Sequence, residues 1–132
     1  MHYSDAFMSY FLNTDHAGVL SDPRALVLEH RSKNPFDQFC FYISLDGQAL
    51  SQVRFNCSTT PALIACGEYV SQYIEGRSIG TALSLQKERI LQELELDNRY
   101  IHIVDMIVRL LQRLRIDKEA GFGSKTQKGD AI

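Results

Sequence analysis

Apolar and polar positions along the chain change period several times, and each change marks an element. Tyr3, Phe7, Tyr10 and Phe11 fall at i, i+4, i+7 and i+8, which predicts one apolar face of a short helix over residues 3–12. Asn13 and Asp15 lead from it to Gly18, a helix exit and loop. Residues 25–30 (ALVLEH) are a candidate first strand. Phe39, Phe41, Ile43 and Leu45 then alternate with Cys40, Tyr42 and Ser44, and Val53, Phe55 and Cys57 alternate with Gln52, Arg54 and Asn56. A period of two predicts paired strands. Asp46-Gly47 between them reads as the two central residues of a hairpin turn, both needing to tolerate positive φ.

After the hairpin the helical period returns. Thr60-Pro61 predicts a helix start, with the threonine hydroxyl accepting a free backbone N–H and proline at the first helical position. Ala62, Cys66, Tyr69 and Tyr73 share a stripe of that helix, and Gly76 ends it. Ser78 is a cap for a second short helix, and Lys87 to Leu96 is a third, largely acidic outside. A fourth begins near Arg99, with Tyr100, Ile103, Ile107, Leu110, Leu111 and Leu114 inward and His102, Asp105, Arg109, Gln112 and Arg113 outward. Strands segregated from helices predict an α+β domain, a three-stranded antiparallel sheet covered on one face by a group of helices. The expected domain spans residues 1–118, and the glycine-rich polar tail, 119–132, is expected to be disordered.

Composition narrows the function. At 132 residues, 45% hydrophobic and 23% charged, the chain fits one compact domain. A net charge of −2 gives no electrostatic case for nucleic acid or an anionic membrane. No apolar run approaches the roughly 20 residues of a membrane span. Met1-His2-Tyr3-Ser4-Asp5 lacks the basic and apolar regions of a signal peptide, so a cytoplasmic location is expected. Three cysteines without a CxxC pair predict reduced thiols.

Several short stretches, in this order, resemble the IscU/NifU N-terminal iron–sulfur cluster assembly scaffolds. Tyr3-Ser4 with Asn13 and Gly18 is similar to that family's opening, with Thr14, Asp15 and His16 standing where it usually has Pro, Arg and Asn. Leu45-Asp46-Gly47 and Val53-Arg54-Phe55 resemble its hairpin, and Tyr73 to Ser78 its central helix junction. Leu94-Glu95-Leu96 and Ile101-His102 resemble the approach to its closing His-Cys. The resemblance runs from residue 3 to about 115. It implies iron–sulfur cluster assembly, with iron or cluster binding, no catalytic step of the protein's own, and protein partners such as a cysteine desulfurase.

The family's ligands are the Cys and Asp of a Cys-Gly-Asp turn, a second Cys, and the closing His-Cys. Carried onto this chain, the three cysteine positions fall on Pro35, Thr60 and Ile103, leaving Asp37 and His102 as residual donors. Neither is a thiolate, the soft ligand that clusters require and the nucleophile that accepts sulfur. Asp37 and His102 together make a weak candidate site for zinc or ferrous iron. Each has an ordinary alternative, a solvated loop carboxylate and a polar-face histidine beside Asp105. His16 is a further residue that an N-terminal loop can bring near. Among the cysteines, Cys57 and Cys66 read as core packing. Cys40 divides between packing and a partly exposed thiol. The Leu-Pro-Pro-Val-Lys segment by which a dedicated Hsp70 recognises family members is replaced by Leu96-Asp97-Asn98-Arg99-Tyr100, so that partner is not expected. Arg109, Arg113, Arg115 and Lys118 form either a docking face or a solvated one.

Three functions follow, in order. The first is a divergent iron–sulfur scaffold-family protein. The second is a non-cluster-binding adaptor or regulator, for example of a cysteine desulfurase. The third is a small metal-binding protein or hydrolase using Asp37 and His102.

Overall fold

The computed structural model describes residues 3–121, with side chains described through residue 115. Helix α1 (Asp5–Leu12) precedes strands β1 (Leu26–His30), β2 (Phe39–Asp46) and β3 (Ala49–Cys57). Helices α2 (Pro61–Ile74), α3 (Ile79–Leu83), α4 (Lys87–Glu93) and α5 (Ile101–Gly121) follow, with a 3₁₀ turn, Asn98–Tyr100, before α5. The strands form one antiparallel sheet in the order β1-β2-β3, as the alternating pattern predicts.

The inward alternation of the strands builds the core. Leu28, Phe39, Phe41, Ile43, Val53 and Phe55 are all buried, and α2 lies against β3 while α5 lies against β1. Helix α2 is more deeply buried than one stripe predicts: Leu63, Ala65, Val70 and Ile74 are covered along with Ala62 and Cys66. Gly67 makes this possible, since a Cβ there would sit 2.7 Å from a ring carbon of Phe55. Helix α1 packs on α2 by inserting Phe7, which stacks on Tyr3 with ring centroids 3.9 Å apart. Ser4 caps α1 through the Phe7 amide and also donates its hydroxyl to the Leu94 carbonyl, tying the N-terminus to the end of α4.

Three local expectations are revised. The hairpin's two turn residues are Gly47 and Gln48, flanked by the Asp46–Ala49 pair, and of the two only Gly47 has positive φ. A register shift at Ser44/Leu45 accompanies the displaced turn. Thr60 occupies the cap position of α2 and Pro61 its first residue, but the hydroxyl does not cap the helix. Helix α4 stops at Glu93 and not Leu96, because Glu95 turns the backbone left-handed (φ +53) and the Leu96 amide reaches back to the Leu91 carbonyl. Helix α5 runs as far as Gly121, and residues 122–132 of the expected tail lie outside the described residues. Ser78 caps α3 as expected, and Gly76, at φ +83, follows the cap of α2. No helix among the described residues is long and apolar enough to cross a membrane.

Candidate functional site

Pro35, Asp37 and Thr60 converge where the β1–β2 loop meets the start of α2, and what joins them is a set of hydrogen bonds. Ser58 donates its hydroxyl to the Pro35 carbonyl at 2.6 Å and accepts the Gln38 amide at 3.0 Å. Thr60 donates to the Phe36 carbonyl at 2.8 Å, which is why its oxygen is not aimed at the helix amides. Asn34 accepts the Phe36 amide at its side-chain oxygen and the Asp37 amide at its carbonyl. The Gln38 side-chain amide donates to the carbonyls of Ser32 and Asn34. Phe36 at the tip stays 69% exposed, the largest exposure among the big apolar residues described.

Asp37 is paired, but not with His102. Its carboxylate lies 3.2 Å from His30 Nε2, at the end of β1. His102 is exposed on the first turn of α5 and lines a cavity of about 310 Å³ with His30, Asp105, Met106, Arg109, Leu110 and Arg113. The structure thus places His30, which the sequence reading passed over, between the two expected donors. Asp105 pairs with Arg109 at 2.9 Å and is not held by His102. Ile103, the third position the resemblance assigns to a cysteine, is 9% exposed and belongs to the core with Val104 and Ile107. Among the described residues no group of three or more His, Cys, Asp and Glu side chains comes together so as to hold a metal ion.

Cys40 and Cys57 border this region, lining a cavity with His30, Gln38 and Ser58, and burial raises all three thiols. Burial pushes Cys57 up to about 12 and, with Cys57 beside it, Cys66 up to about 12. Cys40 lies on the outer face of β2 yet is only 8% exposed, at the wall of a cavity of about 330 Å³ that Glu29, His30, Tyr42 and Cys57 also line. Burial raises its pKa as well, against a hydrogen bond from Tyr42 that lowers it. The packing reading therefore holds for Cys40 and Cys66. A thiol so protected supplies almost no thiolate near neutrality.

His16 does not approach Asp37 or His102. Its ring lies between two carboxylates of α2 and its cap, with Nδ1 2.7 Å from Glu68 and Nε2 2.8 Å from Glu75. A ring nitrogen donates to each carboxylate only when both carry a proton, so this placement favours the imidazolium. Burial opposes that charge, but hydrogen bonds to Glu75 and Glu68 and the charges of both outweigh it, and His16 titrates above its ordinary value. Glu68 is fully buried, and also accepts from the His16 amide and the Gln72 side chain.

This cluster closes the free edge of β3. Phe55 exchanges backbone bonds with His16 and Gly18, and Leu50 does so with Arg77 and Gly76. Between them the Val53 amide donates to Glu75 at 2.8 Å, and Arg54 donates both to the Val53 carbonyl and to Glu75. The edge that would otherwise invite another strand is sealed. Burial raises the Glu75 pKa, but the Val53 amide, His16 and Arg54 outweigh it and hold the carboxyl below the usual range. A glutamate inside the apolar run Leu63–Val70 is the one sequence signal for this cluster, and only the fold supplies its partners. Of the basic group on α5, Arg109 is neutralised by Asp105 and Arg113 donates to the Glu29 carbonyl at the β1 edge; the Lys118 side chain lies outside the described residues.

The sequence profile of the NifU-like N terminal domain matches residues 2–114. Among solved structures, one similar chain is described as an iron–sulfur cluster assembly scaffold protein for the SUF system, from thermophilic Fervidobacterium islandicum AW-1. It is 17% identical with a TM-score of 0.56, over 87% of this chain and 86% of that one. A nitrogen-fixing NifU-like protein (N-terminal) from Brucella abortus is 15% identical with a TM-score of 0.55, over 86% of each chain. A hypothetical protein is 14% identical with a TM-score of 0.63, over 82% of this chain and 92% of that one. At these identities the likeness is one of fold. No curated protein matches the sequence.

Proposed function

We propose, from the premise that this chain belongs to the NifU-like N-terminal domain family, that it serves iron–sulfur cluster assembly through protein contacts, without carrying a cluster itself and without a catalytic step of its own. One observation carries the reading. The three positions that the family resemblance assigns to ligand cysteines are used to hold structure together. Pro35 gives its carbonyl to Ser58, Thr60 gives its hydroxyl to the Phe36 carbonyl, and Ile103 fills the core. The donors present do not fit a cluster as cargo, because clusters are held by thiolates and among the described residues no three His, Cys, Asp or Glu side chains converge.

A residual zinc or iron site at Asp37 and His102 draws little support. The carboxylate of Asp37 pairs with His30 and not with His102, and among the described residues no group of three His, Cys, Asp or Glu side chains comes together to hold a metal ion. The same geometry speaks against a hydrolase, which needs a third ligand and a base. The partner whose chemistry fits the family is a cysteine desulfurase.

Two measurements on the purified chain test this. Anaerobic incubation with ferrous iron and sulfide, followed by desalting, is expected to leave featureless visible absorption and no retained iron. Stoichiometric iron and sulfide would make the protein a cluster carrier and overturn the proposal. Calorimetric titration with the cysteine desulfurase of the same cell is expected to show saturable binding, and its absence would remove that partner.

A further inference from the structure

Residues 14–18 are held on the fold by polar contacts and by very little else. The segment runs from Asn13, which closes α1, to Gly18. Along it Asp15, Ala17 and Gly18 are exposed, and Thr14 and His16 are only half-buried. Thr14 and Ala17 do not press on the elements behind them: with Phe55, Asn56, Cys57 and Ile64 they wall a cavity of about 190 Å³. Three bonds of its backbone fasten the segment. The His16 carbonyl accepts the Phe55 amide at 2.9 Å, the Gly18 amide donates to the Phe55 carbonyl at 2.8 Å, and the His16 amide donates to Glu68 at 2.9 Å. The His16 ring adds its bonds to Glu68 and Glu75. A segment that buries so little apolar surface opens at a free-energy cost well below that of unfolding the domain, and here much of that cost rests on one charge.

The groups that face the ring come from each element around it. Helix α2 presents Glu68 with Gln72 beside it, the cap of α2 presents Glu75, and β3 presents Arg54, which reaches the other oxygen of Glu75 at 3.0 Å. On the segment itself Asp15 points to solvent. With the ring protonated, each carboxylate receives a proton. A neutral ring has one N–H, so one carboxylate then faces a lone pair. Neither carboxylate needs the ring to keep its place, since Glu68 retains Gln72 and Glu75 retains Val53 and Arg54. The ring is therefore the party that leaves. Gly18 supplies a hinge: its φ is +136, and no heavy atom lies within 4 Å of where a Cβ would sit.

We propose that residues 14–18 are a pH-operated latch on the β3 edge, closed while His16 is an imidazolium and swung away about Gly18, with the rest of the fold intact, once the ring loses its proton. Opening leaves the Phe55 amide and carbonyl unpaired at the sheet edge, where another strand can bond to them. The latch works the same way whichever protein the chain contacts. Its sign is fixed by the closed form, in which burial opposes the charge on His16 but Glu75 and Glu68 outweigh it and raise its pKa. Closure is therefore complete below the free-ring value of about 6.5 and weakens as pH rises toward the closed value. One proton is released on opening, so the latch loosens by up to about tenfold per pH unit over that window.

Solvent exchange of the backbone amides tests this, followed by NMR on the full chain from about pH 6 to about pH 9 and corrected for the intrinsic rate at each pH. In the wild type the Phe55 and Gly18 amides are expected to be less protected than the Phe41 amide of the central strand at every pH. Above about pH 6.5 they should lose protection by up to about tenfold per unit. Glu75→Gln removes one of the two charges that hold the ring, and the same loss should then begin at lower pH. In His16→Asn both amides should be poorly protected throughout, with no step in this range. Wild-type protection at Phe55 and Gly18 that is constant with pH overturns the latch. So does protection equal to that of Phe41, because the segment would then leave only when the whole chain unfolds. A pH-dependent loss that persists in His16→Asn overturns it as well, since another group would be titrating.

Discussion

Replacing His16 by asparagine removes the imidazolium between Glu68 and Glu75 and leaves a shorter, uncharged side chain that cannot span both. Two charge-assisted hydrogen bonds are lost, at 2.7 and 2.8 Å. Such bonds contribute about 1.5–3 kcal/mol each, and breaking a buried ion pair costs about 3–5 kcal/mol. Glu68 is fully buried but keeps two donors, the residue-16 amide and Gln72, and Glu75 is partly solvated. The lower end, about 3 kcal/mol, is therefore expected for His16→Asn. In a domain of this size that lowers the melting temperature by on the order of 10 °C. The effect depends on pH with a definite sign. The folded pKa of His16 is raised, so its contribution is complete below the unfolded value of about 6.5 and is lost as pH rises through the folded value. Above that, a ring nitrogen turns a lone pair toward a carboxylate. The chain contains no tryptophan, so urea unfolding under reducing conditions is followed by far-UV circular dichroism. The gap between wild type and variant should be widest near pH 6 and narrow steadily toward about pH 9. A gap that is constant or grows over that range would show that His16 is not held as a cation, and the account of the β3 edge would fail.

Other consequences are independent of that cluster. Gly67→Ala places a methyl 2.7 Å from the Phe55 ring and 3.0 Å from that of Phe39, so denaturant unfolding should show a loss of about 1–3 kcal/mol; an unchanged midpoint would mean that α2 and β3 are further apart. Glu95→Gly should stabilise the chain by about 1 kcal/mol by relieving a left-handed backbone at φ +53; a loss of stability in the same assay would contradict that local geometry. Cys57 and Cys66 should resist iodoacetamide at about pH 8 in the native protein and react in urea, because burial pushes both thiols up to about 12. Rapid native labelling of either, read by mass spectrometry, would count against their burial and would restore a candidate nucleophile.

The sequence by itself determined whatever is decided within a turn of helix or along one strand. The period of two in Phe39–Asp46 and Ala49–Cys57 was legible because side chains alternate across a pleat. The helical faces of α1 and α5, the Ser78 cap and Gly76 were legible because their partners lie three or four residues away, whereas the Ser4 cap was not read. That Pro35, Thr60 and Ile103, the positions the resemblance assigns to cysteines, are not thiols was visible too, since it concerns what residues are and not where they point. Tertiary structure decided the rest. Thr60 had a local role available, capping α2, and gave its hydroxyl to Phe36, 24 residues back. Asp37 found His30, which shares a cavity with His102. His16 met carboxylates 52 and 59 residues away. No periodicity encodes such meetings: they depend on how the loop, the sheet edge and α2 close on one another. In that closure a buried carboxylate or an edge amide must find a partner or pay the full cost of desolvation.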